Sequence, residues 1–280
     1  MSDQVAARQD SIDNSGIKIF YRSWHPKTVK ACLVVVHGEG DHSARYAHVG
    51  EFFSQKDFAV YAMDLRGQGV SGGTRGHVDD FDEYIADVSL VVEKARNEYP
   101  NTPLFVLGHS MGGTISALYG ISQPGKVQGI LLSSPCMGFK MKVNPVKKWF
   151  SRVIGKVFPM ISFSDGIDPS WVSTNQEVVQ KYAADDVRCG TITAGWYNAL
   201  ESAIVEAMAR AGNLSAPCMI MQAGDDLLVE PERSREFYEK IGSEDKDFRL
   251  YEGCYHEIVN EPQQEEILQD IWEWIANRLN

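Results

Sequence analysis

The chain has 280 residues, of which 44% are hydrophobic and 23% charged, enough for one large α/β domain or two small ones with a sizeable core. A net charge of −11 and a pI of about 5.1 set most of the surface against nucleic-acid phosphates, so no nucleic-acid partner is expected. With no basic leader before an apolar run, no lipidation box and no apolar stretch long enough to span a bilayer, a soluble cytoplasmic protein is the expectation. The five cysteines, Cys32, Cys136, Cys189, Cys218 and Cys254, are odd in number and lack a Cys-x-x-Cys pair, which favours buried free thiols over disulfides or a zinc site.

In chain order, Asn14-Ser15-Gly16 marks a turn, and Ile17 to Trp24 reads as a strand. Ala31 to Val36 is a short apolar run of the kind buried on both faces, and it ends abruptly in His37-Gly38-Glu39-Gly40. Phe58 to Met63 is the next strand, followed by a glycine-rich loop from Arg66 to Gly76. Asp79 or Asp80 is positioned to cap a helix whose apolar stripe is Phe81, Tyr84, Ile85, Val88, Val91, Val92 and Ala95. Leu104 to Leu107 is a strand, with a helix starting directly behind it, and Val127 to Leu132 is another strand. This alternation predicts an α/β fold with a mostly parallel sheet and helices on both faces.

After Pro135 the rhythm stops. Residues 137–208 carry no clear strand–helix unit and read as helical, whereas strands return at Cys218 to Gln222 and Phe248 to Tyr251. A last helix from about Pro262 to Leu279 carries Ile267, Ile271, Trp274 and Ile275. The expectation is a core made of 1–136 and 209–280, with 137–208 inserted between two strands as a helical cap over their carboxyl ends, where open α/β sheets bind ligands.

The sharpest motif is Gly108-His109-Ser110-Met111-Gly112, a Gly-x-Ser-x-Gly between a strand and a helix. A nucleophile on so tight a turn needs small neighbours, and the helix behind it aims peptide N–H groups at a developing oxyanion. A serine hydroxyl needs a base. Of seven histidines only His256 follows Ser110, and in this arrangement the order is serine, acid, histidine. The acid should follow the preceding strand, where Gly224-Asp225-Asp226-Leu227-Leu228-Val229 favours Asp226 by register, with Asp225 left to brace the loop. The oxyanion donors are read as the backbone N–H groups of Met111 and Glu39.

Four segments carry a family resemblance: His37-Gly38-x-Gly40-x-His42-Ser43-x-Arg45-Tyr46, Asp64-Leu65-Arg66-Gly67-Gln68-Gly69, Gly108-His109-Ser110-Met111-Gly112-Gly113 and Tyr251-Glu252-Gly253-x-Tyr255-His256. Through them nearly the whole chain resembles the monoacylglycerol lipase and lysophospholipase group of α/β-hydrolases. The resemblance implies the α/β-hydrolase fold and a Ser110–His256–Asp226 triad. It also implies an oxyanion hole at Glu39 and Met111, and Arg45 and His109 on the alcohol side of a capped acyl site. It requires no metal and no cofactor. It implies hydrolysis of a lipid-like ester, a monoacylglycerol first. A lysophospholipase, a small carboxylesterase, a thioesterase, an aminopeptidase or a non-catalytic binder on the same fold are the alternatives. Glu39 departs from the family pattern, which has a small or apolar residue there, and a carboxylate at that turn would oppose an oxyanion.

Residues 140–158 hold a second signal. Trp149, Phe150, Val153, Ile154, Val157 and Phe158 fall on one half of a helix and Lys148, Arg152 and Lys156 on the other, after an Asn144 cap and Pro145. Such a helix suits either a lid over the site or transient contact with an anionic membrane.

Overall fold

The computed structural model describes residues 5–140 and 155–279. Eight strands form one sheet in the order β1-β2-β4-β3-β5-β6-β9-β10. These are β1 Arg8–Asn14, β2 Ile17–Trp24, β3 Ala31–Val36, β4 Phe58–Met63, β5 Leu104–His109, β6 Gly129–Ser133, β9 Cys218–Ala223 and β10 Lys246–Tyr251. From β4 to β10 every pairing is parallel, and β2 alone runs against the rest, antiparallel to both β1 and β4.

β3, β4 and β5 are buried at every position, so their side chains must satisfy both faces. Alternation sorts them. Cys32, Val34 and Val36 of β3 join the core beneath α2 (Asp82–Glu98) and α3 (Met111–Ser122). Ala31, Leu33 and Val35 join the opposite core, under α1 (Ala47–Ser54) and the C-terminal helix Gln264–Ala276. Each fully buried Val or Leu in such a core contributes roughly 1.5–3 kcal/mol.

The polar stretch Arg8–Asn14 forms a strand that sequence periodicity does not announce. It is an exposed edge held by a two-residue turn, Ser15 and Gly16, both at positive φ, which is the hairpin geometry that matches strand twist. The expected capping aspartate near residue 80 is present in altered form: Asp80 Oδ1 accepts the Asp82 N–H at 3.0 Å, and the helix begins at Asp82.

Between β6 and β9 the chain is not purely helical. A small antiparallel ribbon, β7 (Ser162–Ser164) with β8 (Thr191–Thr193), precedes the long helix Ala194–Arg210. Three-residue strands are too short to leave a periodic signature, which is why the sequence reading misses them. Gln176–Ala183 forms α4, capped by the Asn175 side chain, and Ala194–Arg210 forms α5, capped by Thr193. Trp196, Leu200, Ala203, Ile204 and Ala207 of α5 belong to the same apolar core as α3, so this half of the insertion is fused to the body. The basic amphipathic helix expected at 140–158 lies mostly outside the described residues, and only 155–157 are seen as helical.

Candidate active site

β3 and β5 are neighbours, with Val36 paired to Gly108. The two loops leaving their carboxyl ends therefore meet, on the strand-end side where ligand sites of such sheets form. Ser110 sits between β5 and α3 at φ 52, ψ −120, a left-handed conformation that side chains rarely adopt. It is held by four backbone bonds: its N–H donates to Ser133 O at 3.0 Å, and its carbonyl accepts from Gly113 N–H and Cys136 N–H, each at 2.9 Å, and from Thr114 N–H at 3.3 Å. The motif glycines are steric necessities. A Cβ at Gly112 would stand 2.2 Å from Val36 O, and one at Gly108 the same distance from Gly112 O.

The His37-Gly38-Glu39-Gly40 turn is pressed against this elbow. A Cβ at Gly38 would lie 3.1 Å from Ser110 Cβ. Fully buried His37 fixes the turn: its Nδ1–H donates to Gly38 O at 2.6 Å, and Nε2 accepts the Leu65 N–H at 2.9 Å. Burial lowers the His37 pKa, so the ring serves as a neutral strut. Met111 is the first residue of α3, where N–H groups have no acceptor within the helix.

His256 follows β10 and is 4% exposed. Its Nδ1–H donates to Asp226 Oδ2 at 2.8 Å. Asp226 is wholly buried, and its oxygens also accept from Leu228 N–H (2.9 Å), Val229 N–H (3.0 Å) and Gln222 Nε2 (3.2 Å). Asp225 is exposed and braces the loop, its N–H donating to Cys254 O at 3.1 Å. Burial pulls the His256 pKa down, but the charge and hydrogen bond of Asp226 outweigh it and leave it raised. Burial likewise pushes Asp226 up, and His256 with the two N–H donors bring it below its ordinary value.

Ser110, Met111, His109, Glu39 and His256 line one cavity. His109 lies with its ring 4.7 Å from that of His256 and donates from Nδ1 to Ser133 O at 3.1 Å. Burial and the neighbouring His256 push its pKa down to about 3, so it stays neutral. Arg45 lies one layer back and is not part of the cavity wall. Its guanidinium holds Glu257 through two bonds of 3.1 and 2.6 Å, stands 3.5 Å from Asp41 and lies over the Tyr182 ring at 4.6 Å.

The cavity has two chemically distinct parts. One is apolar, with Phe139, Ile192, Trp196, Tyr197, Leu200 and Val229. The other collects Glu39, Asp41, Asp165, Tyr182 and Glu257. The sequence reading singled out Glu39 alone of this second group. Asp41 was legible as part of the turn motif and Glu257 as the neighbour of His256, whereas Asp165 and Tyr182 carry no motif. No group of metal-ligating side chains occurs among the described residues.

Residues 27–263 match the family described as Serine aminopeptidase, S33. The chain is 38% identical to a monoacylglycerol lipase of Mycolicibacterium smegmatis, over 94% of its own length and 95% of that protein. It is 32% identical to the phospholipase YtpA of Bacillus subtilis, over 88% and 95% of the two chains. Among solved structures, the monoacylglycerol lipase of Paleococcus ferrophilus superposes with a TM-score of 0.85 at 29% identity, covering 93% of this chain and 99% of that one.

Proposed function

The chain belongs to the monoacylglycerol lipase family of α/β-hydrolases and is a carboxylic ester hydrolase, and from that premise we propose that it cleaves monoacylglycerols to fatty acid and glycerol through Ser110, His256 and Asp226. The observation that carries this reading is the buried 2.8 Å bond from His256 to Asp226 beside a serine elbow that opens into a half-apolar, half-polar cavity.

In this reading His256 takes the Ser110 proton as the hydroxyl attacks the ester carbonyl. The peptide N–H groups of Met111 and Glu39 hold the tetrahedral oxyanion. The imidazolium, stabilised by Asp226, then protonates the departing alcohol, and a water activated by the same ring releases the acid from Ser110. The acyl chain takes the wall formed by Phe139, Trp196 and Leu200, and the alcohol takes the polar end by elimination. Neutral His109 packs beside the catalytic ring without competing for its proton. Arg45 acts as a positioning residue, fixing Glu257, Asp41 and Tyr182. No cofactor enters the scheme.

The test is hydrolysis by the protein and its Ser110→Ala variant of matched esters: monoacylglycerols, a lysophosphatidylcholine, a triacylglycerol, an acyl-CoA and an amino-acid amide. Preference for monoacylglycerol, abolished in the variant, supports both residues and substrate. Preference for another member moves the substrate class and keeps the serine.

Transient docking of the cap on an anionic membrane belongs to the same proposal. Val157, Phe158, Met160, Ile161 and Phe163 are exposed together at the described edge of the cap, beside a run rich in lysine. Flotation with vesicles that is indifferent both to anionic lipid and to Lys148→Glu or Arg152→Glu would remove this part. Five buried cysteines, none in a disulfide, suit a reducing compartment such as the cytoplasm.

A further inference from the structure

Glu39 is the one cavity-lining carboxyl whose two oxygens are both sealed from solvent and without a hydrogen-bond partner among the described residues. The residue as a whole is half-buried and lines the cavity, beside Asp41 and Asp165. Buried polar groups are almost always paired, and one that is not within the protein is a candidate for pairing with a ligand.

The surroundings define that ligand. The charged groups that act on Glu39 are Asp165, Arg188 and Asp41. Arg188 is already committed to an ion pair with Asp165 and to the Tyr182 ring, 4.5 Å from its guanidinium carbon. Arg45 is shared between Glu257 and Asp41. Four carboxyls therefore face two guanidiniums at this end, each guanidinium already in an ion pair, and the buried Nε of Arg188 is left without a partner among the described residues. Burial first, then Asp165, with Asp41 adding to it and Arg188 opposing, raise the Glu39 pKa well above the ordinary carboxylate value, a shift that favours the neutral acid.

We propose that the Glu39 carboxyl is a specificity-determining group that hydrogen-bonds the hydroxyls of a neutral polyol leaving group and makes this end of the cavity unreceptive to anionic head groups. The proposal rests on the ester-hydrolase reading above, in which the alcohol occupies the polar end. A protonated carboxyl offers one donor and acceptor sites, which match a vicinal diol. It also puts no negative charge beside the oxyanion formed at its own peptide N–H. A phosphate at the same place would meet Asp41, Asp165 and Glu257, against two guanidiniums that are each already ion-paired to one of these carboxyls. An ammonium would instead recruit Glu39 as an anion.

The test uses four oleate esters: 1-oleoylglycerol, propyl oleate, oleoyl-lysophosphatidic acid and the ethanolamine ester. They are presented in matched detergent to the wild-type protein, Glu39→Leu and Glu39→Gln. Wild type should favour the glycerol over the propyl ester in kcat/KM, and Glu39→Leu should shrink that ratio by about tenfold or more, a difference of about 1.4 kcal/mol. Glu39→Gln, which keeps a neutral donor and acceptor, should hold the ratio within about threefold of wild type. Wild-type kcat should decline as rising pH ionises Glu39, and the Glu39→Gln variant should lack that decline. An unchanged glycerol-to-propyl ratio in Glu39→Leu overturns the proposal. So does a wild-type preference for the ethanolamine or lysophosphatidate ester. If Glu39→Leu does not fold, the comparison of pH profiles between wild type and Glu39→Gln decides, and parallel profiles overturn the proposal. Absence of wild-type turnover on every ester overturns instead the function on which it rests.

Discussion

The two polar corners of the cavity are built on opposite terms. At the His256–Asp226 corner every carboxylate oxygen of the buried aspartate is paired, with three N–H donors beside the histidine. At the Glu39 corner one carboxyl has no partner among the described residues, and the two guanidiniums nearby are ion-paired to other carboxyls. A satisfied buried network is rigid, and rigidity is what proton transfer along a fixed line requires. An unsatisfied group costs about 1–3 kcal/mol in the free protein and regains it only when a ligand supplies the missing bond. On the proposed function the first corner would serve the reaction and the second recognition.

The sharpest way to break this contrast is at the first corner. Ser110→Ala should reduce kcat by on the order of 10⁶-fold with little change in stability, because the residue holds the elbow by its backbone rather than its hydroxyl. Single-turnover assays with a monoacylglycerol would measure it, and a loss below about tenfold would remove Ser110 from the chemistry. Asp226→Asn should cost roughly 10⁴-fold, since an amide at Oδ2 no longer selects the histidine tautomer that leaves Nε2 free.

Arg45→Ala tests the second corner. It leaves Glu257 and Asp41 buried without their shared guanidinium, so stability should drop by about 3–5 kcal/mol, read as a lower midpoint in chemical denaturation. The accompanying rise in KM should exceed any fall in kcat if Arg45 only positions the alcohol end. Gly112→Ala comes next, at about 1–3 kcal/mol, because the new methyl meets the backbone carbonyls of Val36 and His37, which have little room to retreat.

The smallest effect is a displaced pH profile. The raised His256 pKa means that the neutral base forms at higher pH than in a free imidazole, so the acid limb of kcat/KM on a neutral ester should sit on the alkaline side of a free imidazole. The sign of the stability term follows from the same shift. Because the folded pKa lies above the unfolded one, the stabilisation is fully present below the unfolded value and is lost as pH rises through the folded value. Asp226 runs the other way: its depressed pKa gives stability above the unfolded value that is lost as pH falls through the folded one. In Asp226→Asn the residual acid limb should move to lower pH. A limb that stays in place would mean that Asp226 does not set the His256 proton affinity.

Much of this molecule was determined by the sequence alone. The apolar runs at 31–36, 58–63 and 104–107 have only one stable use, as strands buried on both faces. The glycines around Ser110 admit no larger residue because the elbow packs on backbone. Chain order left a single histidine, His256, as the candidate base. Register favoured Asp226 over Asp225 as the candidate acid, and it is Asp226 that meets His256.

What tertiary structure decided lies where local pattern is weak. The edge strand Arg8–Asn14 and the ribbon of Ser162–Ser164 with Thr191–Thr193 exist because a partner strand supplies their hydrogen bonds, not because their own residues prefer extension. The polar corner assembles Glu39, Asp41, Asp165, Tyr182 and Glu257 from points far apart in the chain. Arg45 retreats behind the wall because its bidentate bond to Glu257, more than two hundred residues away, wins the guanidinium. Whether a carboxyl at position 39 is charged, paired or orphaned depends on how many cations the fold leaves within reach, and no stretch of sequence around residue 39 contains that count.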